Sequence, residues 1–168
     1  MGGVRGTILQ VNISGRGGLP KRAVAGGLIG ELGIEGDAQA HPQIHGGPQR
    51  AILLIAAEVV DELTARGYPL FYGAMGENLT VRGIPIRELR IGDCLQAGAA
   101  RLQITRPRGP CSALDVYGES LKHAIWDAQM QGGDSGSPRW GMSGLYARVV
   151  TPGMVAPGDI IAVESELA

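Results

Sequence analysis

The two cysteines of this chain, Cys94 and Cys111, are its strongest nucleophiles, and their sequence surroundings differ. Cys94 follows Gly92-Asp93 at the start of an apolar stretch, which favours a buried core thiol. Cys111 follows Arg106-Pro107-Arg108-Gly109-Pro110, a basic segment stiffened by proline. The thiolate is the reactive and metal-binding form of cysteine, and a nearby cation stabilises it. We therefore predict that Cys111 is accessible and functional, with a purely structural role as the alternative.

A second group of polar side chains, Asp37, His41 and His45, lies in a stretch rich in proline and glycine. On a helix the spacing of the two histidines would favour a zinc site, but Pro42 and the neighbouring glycines argue against a helix. Three interpretations remain open: a zinc site, a turn whose polar groups bond one another, or a loop that lines a ligand pocket. The step His45-Gly46-Gly47 favours the pocket, because paired glycines let a ligand approach the backbone closely.

A third candidate is the segment Gly76-Glu77-Asn78-Leu79, which stands at the mouth of a predicted strand. Its Glu and Asn side chains could exchange hydrogen bonds with a heterocycle. The alternative is a turn in which Asn78 adopts a positive φ. Other chemistries lack their motifs, since the chain has no G-x-S-x-G elbow, no P-loop and no dinucleotide fingerprint.

The elements that must position these residues are short. The chain has 28 glycines among 168 residues and only 4% aromatic residues, which favours many short strands joined by tight turns. Apolar periodicity and turn signals predict strands near 4–13, 23–28, 51–55, 94–96, 100–105, 145–150 and 159–163, and helices at 56–67 and 119–131. The last two strands are expected to pair with each other. Together these elements predict a mainly β fold with two or more helices (α+β) and a closed or nearly closed β-barrel.

The sequence also predicts two features of the loops. Gly-Asp pairs at 92–93 and 158–159 open strands, where the carboxylate is expected to bond nearby backbone N–H groups. The segment 132–138 is polar and rich in glycine, and we expect it to be a mobile loop without an apolar anchor. It would be either a flap that orders when a ligand binds or a surface connection with no role.

Charge and hydropathy limit the partners of this protein. The net charge is −1 and Lys and Arg are scattered, which argues against nucleic acid. No apolar run approaches the roughly 18 residues of a membrane span, and no signal peptide is recognised. We therefore expect a cytoplasmic protein without a membrane partner, in which a disulfide between the two cysteines is disfavoured.

Five segments of the chain form an ordered set across residues 36–159. They are Gly36-Asp37 to His45-Gly46-Gly47 with Arg50, then Gly76-Glu77-Asn78-Leu79, Ile91-Gly92-Asp93, Pro107-Arg108-Gly109-Pro110-Cys111, and Gly144 to Val149 with Pro157-Gly158-Asp159. In this order they resemble the MOSC family, named for the C-terminal domain of molybdenum cofactor sulfurases. The resemblance implies a single MOSC domain over 1–168 and a barrel of about seven strands. It is closest in kind to the short stand-alone bacterial members.

The resemblance also implies roles for individual residues. Cys111 would be the family's functional cysteine, which ligates molybdenum in the pterin cofactor or carries a persulfide. Arg50, Asn78 and Arg108 match polar positions suited to a phosphate-bearing pterin, and we expect Arg108 to be an exposed loop residue. The family usually has an acidic residue near His41, which leaves the role of that position open.

Two functions follow as expectations. The first is a molybdenum-cofactor (molybdopterin) oxidoreductase that acts on N-hydroxylated compounds, with electrons supplied by a partner reductase. The second is a carrier module that holds a persulfide or the cofactor on Cys111 without turnover of a small molecule, loaded by a cysteine desulfurase.

Overall fold

The computed structural model describes residues 3–38 and 47–164. Its strands are β1 (Arg5–Ile13), β2 (Arg22–Val24), β3 (Gly27–Gly30), β4 (Gly33–Ile34), β5 (Ile52–Ala56), β6 (Leu79–Arg82), β7 (Cys94–Ala97), β8 (Ala100–Pro107), β9 (Leu145–Thr151), β10 (Gly153–Val155) and β11 (Ile160–Val163). Its α-helices are α1 (Ala57–Ala65), α2 (Leu121–Ile125) and α3 (Ala128–Gln131). Short 3₁₀ helices cover Pro48–Arg50, Ile86–Glu88 and Ser112–Tyr117.

Seven strands close into a barrel in the order β1-β11-β7-β8-β9-β5-β6, and β6 pairs with β1 to complete the circle. The pairing of β5 with β6 is parallel and the others are antiparallel. Strand β2 extends from β1, while β10, β3 and β4 form a separate small sheet. The predicted α+β fold with a closed barrel of about seven strands is confirmed. Within the described parts of the chain, no helix is long and apolar enough for a membrane crossing.

The core lies inside the barrel and beneath α1. All five residues of β5 are buried, because one of its faces points into the barrel and the other lies under α1. The helix buries Val59, Val60 and Leu63, which are spaced for one helical face. It ends at Ala65, just before Gly67 adopts a φ of 104°. The predicted strand and helix in this region are therefore confirmed.

Two predicted elements differ from the structure. The strand expected at 23–28 is two strands, β2 and β3, that belong to different sheets. The helix expected at 119–131 is interrupted where Trp126 and Asp127 are extended. The Asp127 carboxylate accepts a hydrogen bond from the Met130 N–H at 2.8 Å, so it caps a new helix, α3, instead of continuing the first.

The expected pairing of the last two strands is wrong. Strand β9 lies between β8 and β5, whereas β11 lies between β1 and β7. The intervening β10 leaves the barrel and pairs with β3. Strand β11 therefore closes the barrel by satisfying the backbone of two strands that are distant in sequence, which a local hairpin with β9 would not do.

Both Gly-Asp turns form as expected. Asp93 Oδ2 accepts from the Arg90 N–H at 2.8 Å, and Asp159 Oδ2 accepts from the Ala156 N–H at 2.9 Å. The loop 132–138 contains one buried polar contact. Ser137 is 5% exposed, and its hydroxyl donates to the Asp127 carboxylate at 2.9 Å. Its mobility stays a prediction.

Candidate functional site

Cys111 lies in the loop that follows β8, at the start of the 3₁₀ helix Ser112–Tyr117. The Leu114 N–H donates to the Cys111 carbonyl at 3.1 Å, and the Leu114 side chain is fully buried. The Tyr117 hydroxyl donates to the Ala74 carbonyl at 2.7 Å, which ties the same turn to the loop before β6. These contacts fix the backbone on the C-terminal side of Cys111, whose own side chain is partly exposed.

A pocket of about 160 Å³ adjoins Cys111. Loops from four parts of the barrel converge on it, and the apolar part of its wall includes Leu19, Leu53 and Met75. The polar and charged residues along its wall are Lys21, Arg50, Asn78, Arg108, Cys111 and Tyr146. The structure therefore brings together Cys111, Arg50, Asn78 and Arg108, which are distant in sequence and were each predicted to belong to the site.

The side chain of Asn78 forms hydrogen bonds that hold the fold together. The residue is 2% exposed and its φ is not positive, so the alternative of a turn with a positive φ at Asn78 is wrong. Its side-chain carbonyl accepts from the Leu53 N–H at 3.0 Å, and its amide donates to Asp37 Oδ2 at 2.9 Å and to the Asn12 carbonyl at 3.3 Å. Asn78 thus joins the ends of β1 and β5 at the pocket wall, and most of its hydrogen-bonding capacity is already used.

The expectation that Arg108 is an exposed loop residue is wrong. Arg108 is 7% exposed, its Nε donates to the Ser143 carbonyl at 3.0 Å, and its Nη2 donates to the Met75 carbonyl at 2.8 Å. The Ser143 hydroxyl donates back to the Arg108 carbonyl at 2.5 Å. Gly144, at the start of β9, has a φ of 99°, and a Cβ there would lie 2.9 Å from Ile55 Cγ1. A residue with a side chain would be strained at this position, which therefore favours glycine.

Lys21 and Asp37 form a buried ion pair beside the pocket. Lys21 Nζ lies 2.5 Å from Asp37 Oδ2, and the two side chains are 7% and 4% exposed. Asp37 Oδ1 also accepts from the Ser14 N–H at 2.9 Å. Asp37 is therefore saturated by Lys21, Asn78 and Ser14. The histidines expected to accompany it, His41 and His45, lie outside the described residues, so the zinc and pocket-loop interpretations of that segment stay predictions.

Two pocket residues were missed by the sequence analysis. Lys21 carries no local signal, since a lone lysine between short strands is ordinary. Tyr146 lies in a segment that contributed to the family resemblance, but it was given no role. Burial raises the pKa of Tyr146, while the positive charges of Arg108 and Arg50 oppose that rise. The Arg50 guanidinium carbon lies 5.9 Å from the centre of the Tyr146 ring, which is a cation–π distance.

The expected contrast in exposure between the two cysteines is wrong. Cys94 is not a buried core thiol but is partly exposed, as Cys111 is. It is the first residue of β7, where the neighbouring Leu95 points inward and is fully buried. What distinguishes Cys111 is its place on the pocket wall, which Cys94 does not share. Across residues 3–38 and 47–164, no three His, Cys, Asp or Glu side chains are grouped as ligands for a metal ion.

Glu77 lies behind the pocket wall and is fully buried. Its Oε2 accepts from the Gly73 N–H at 3.0 Å and from the Thr80 hydroxyl at 2.9 Å, whereas its Oε1 has no hydrogen-bond partner among the described residues. Burial raises the pKa of Glu77, and its hydrogen bonds and the charge of Arg108 only partly oppose this. The folded protein therefore retains a proton on this carboxyl over a pH range in which the unfolded chain has lost it.

We expect Glu77→Gln to change how stability depends on pH. Because the folded-state pKa is raised, this carboxyl lowers the free energy of unfolding as pH rises from about 4.5, the ordinary value, through the folded-state pKa. Glutamine does not titrate and can accept the same two hydrogen bonds. The stability of the variant relative to wild type should therefore rise with pH, by at most about 1.4 kcal/mol per pH unit.

Urea unfolding of both proteins at several pH values between about 4 and 8 measures this difference. The matched control is Glu31→Gln, at an exposed position on the surface. A constant difference between Glu77→Gln and wild type across that range would contradict the assignment.

Comparisons with known proteins agree with this fold. The family model described as "MOSC domain" matches residues 41–162. Protein YiiM of Escherichia coli K12 is 33% identical over 148 residues, which are 83% of this chain and 61% of that protein. YflK of Bacillus subtilis strain 168 is 36% identical over 129 residues, 74% of this chain and 52% of that protein. This chain therefore spans between half and about three fifths of the length of these relatives.

Solved structures show the same architecture. The crystal structure of YiiM from Geobacillus stearothermophilus has a TM-score of 0.70 and 27% identity, with 95% of this chain and 75% of that chain covered. The YUAD protein from Bacillus subtilis has a TM-score of 0.71 and 20% identity, with 96% of each chain covered. This second likeness concerns the fold alone.

Proposed function

The chain belongs to the MOSC domain family, and on that premise we propose that it binds the molybdenum cofactor through Cys111 and reduces N-hydroxylated compounds. The observation that carries the proposal is the meeting of one partly exposed thiol with three cationic side chains on the wall of a single pocket. A thiolate is a metal ligand, and Lys and Arg are the usual partners of phosphate. A thiolate together with cationic side chains suits an anionic pterin that already carries a bound metal ion.

The three cationic side chains, Lys21, Arg50 and Arg108, have different roles in this proposal. Arg108 and Lys21 are anchored to backbone carbonyls and to Asp37, so they provide fixed positive charge. Within the described residues the Arg50 guanidinium donates no hydrogen bond and contacts the face of Tyr146. We therefore assign to Arg50 the direct, directional contact with an anionic group of the cofactor.

When bound, the cofactor would supply the two-electron redox chemistry, and the chain would position it. Cys111 provides the protein thiolate, while Leu19, Leu53 and Met75 keep that side of the pocket apolar. Conversion of one N–OH group to N–H takes up two electrons and two protons and releases one water molecule. The electrons come from a separate reductase protein.

Protein produced in molybdate-supplied cells tests the proposal. We expect close to one molybdenum per chain by elemental analysis, a fluorescent oxidised pterin after acid release, and reduction of an N-hydroxylated base with a chemical electron donor. Protein from tungstate-supplied cells is the matched control and should lose the activity. Molybdenum-free, pterin-free protein under both conditions would contradict the cofactor assignment.

A persulfide carrier is the second candidate, and the size of the pocket favours it. At about 160 Å³ the pocket is smaller than the roughly 300–1,000 Å³ of typical small-molecule sites, yet it has ample room for one extra sulfur atom on Cys111. In this function a cysteine desulfurase loads the thiol, and an acceptor protein removes the sulfur. Cyanide-labile sulfur at one equivalent, without molybdenum or pterin, would select the carrier.

A further inference from the structure

A second cleft, of about 480 Å³, adjoins the Cys111 pocket. Arg50, Gly109 and Tyr146 line both spaces, so the two clefts are direct neighbours that share part of one wall. The other residues along the second cleft are Ile91, Arg106, Pro107, Trp126, Met130, Gln131 and Gly133. The volume of the second cleft by itself falls within the range of typical small-molecule sites.

The interruption between α2 and α3 shapes one wall of this cleft. Trp126 is extended at that break, with a φ of −147°, and its indole is partly buried. Its Nε1 donates to Gln131 Oε1 at 3.1 Å, which restrains the orientation of the ring. Met130 is buried beneath, at 2% exposed. Trp126 and Tyr146 therefore offer two restrained aromatic surfaces of the kind that planar heterocycles stack on.

The charge of the second cleft is positive. Arg50 and Arg106 both line it, and none of its lining residues in the described parts of the chain is acidic. Arg106 is exposed at the end of β8, and its guanidinium donates no hydrogen bond to any residue that the structure describes. An available arginine beside an aromatic wall fits a phosphate attached to a planar ring.

We propose that this second cleft is the substrate subsite of the Cys111 site and binds a nucleotide, a planar nitrogen heterocycle that carries a phosphate, in preference to the free base or nucleoside. This rests on the proposed function, since it names the class of N-hydroxylated compound that reaches the cofactor. The ring stacks against Trp126, and the phosphate is bound by Arg106. Arg50 and Tyr146 form the boundary with the cofactor pocket.

Tryptophan fluorescence of the full-length chain tests the subsite directly, with adenosine 5′-monophosphate, adenosine and ribose 5-phosphate as probes. Trp140 is 2% exposed and bonded to the Leu89 carbonyl, so quenching by a ligand reports on Trp126. We expect the nucleotide to bind at least tenfold more tightly than adenosine or ribose 5-phosphate. Quenching should disappear in Trp126→Phe. Arg106→Gln should weaken nucleotide binding roughly tenfold and leave adenosine unchanged.

Arg66→Gln removes an exposed arginine that lines neither space and should bind as wild type does. Equal affinity for nucleotide and adenosine, or equal nucleotide affinity in Arg106→Gln and wild type, would overturn the proposal. So would loss of nucleotide binding in molybdenum-loaded protein, because the cofactor itself would then occupy the cleft. Failure of the proposed function can be told apart from failure of the subsite. If the protein never contains molybdenum but still binds the nucleotide more tightly than adenosine, the subsite proposal stands and the cofactor proposal is wrong.

Discussion

Alanine in place of Cys111 is expected to leave the protein folded and without molybdenum. The thiol is the only protein donor we assign to the metal, and even changes to residues behind a metal ligand cost 10–100-fold in affinity or activity, as a rough guide. We therefore expect molybdenum content and reduction of N-hydroxylated compounds to fall by more than about 100-fold. The side chain is partly exposed and its turn is anchored by Leu114 and Tyr117, so stability should change by roughly 1 kcal/mol or less.

Cys94→Ala is the matched control, because Cys94 is also partly exposed but lies on β7, away from the pocket wall. It should retain wild-type molybdenum content and turnover. Elemental analysis, a turnover assay and thermal unfolding of the three proteins measure all the expected effects. If Cys111→Ala retains its molybdenum, or if Cys94→Ala loses it as fully, Cys111 is not the ligand.

Arg108→Met is expected to produce the largest loss of stability. The substitution retains much of the apolar volume but removes the donors to the Ser143 and Met75 carbonyls, which belong to residues 0% and 1% exposed. Each buried acceptor left without a partner costs about 1–3 kcal/mol, so loss of both contacts should lower the free energy of unfolding by roughly 2–6 kcal/mol. At about 2–4 °C per kcal/mol, the midpoint of thermal unfolding should drop by roughly 4–24 °C.

The control is Arg66→Met, an exposed position that follows α1, where the change should stay within about 0.5 kcal/mol. Calorimetry and urea unfolding of the cofactor-free proteins separate this effect from ligand stabilisation. Equal midpoints for Arg108→Met and Arg66→Met would show that the two carbonyl contacts do not hold the loops together.

The individual strands, helix and turns of the barrel can be predicted from the sequence, because the residue patterns that specify them are local. The buried run of β5, the helix that ends before Gly67 and the two Gly-Asp turns each depend on neighbouring residues, and each forms as expected. The ordered motifs around Cys111 likewise identified the family, which the family match over residues 41–162 confirms. Sequence alone therefore determined the fold class and the family.

Only the tertiary structure decided which polar side chains are buried and which groups they bind. Arg108, Asn78 and Glu77 read as polar loop residues, yet all three are buried, because loops distant in sequence supply their partners. Lys21 enters the site by pairing with Asp37, 16 residues away, and Asn78 reaches Asp37 across 41 residues. Barrel closure by β11 also separates two strands that the sequence placed side by side. Such contacts depend on which strand ends meet when the barrel closes, and local periodicity carries no information about that.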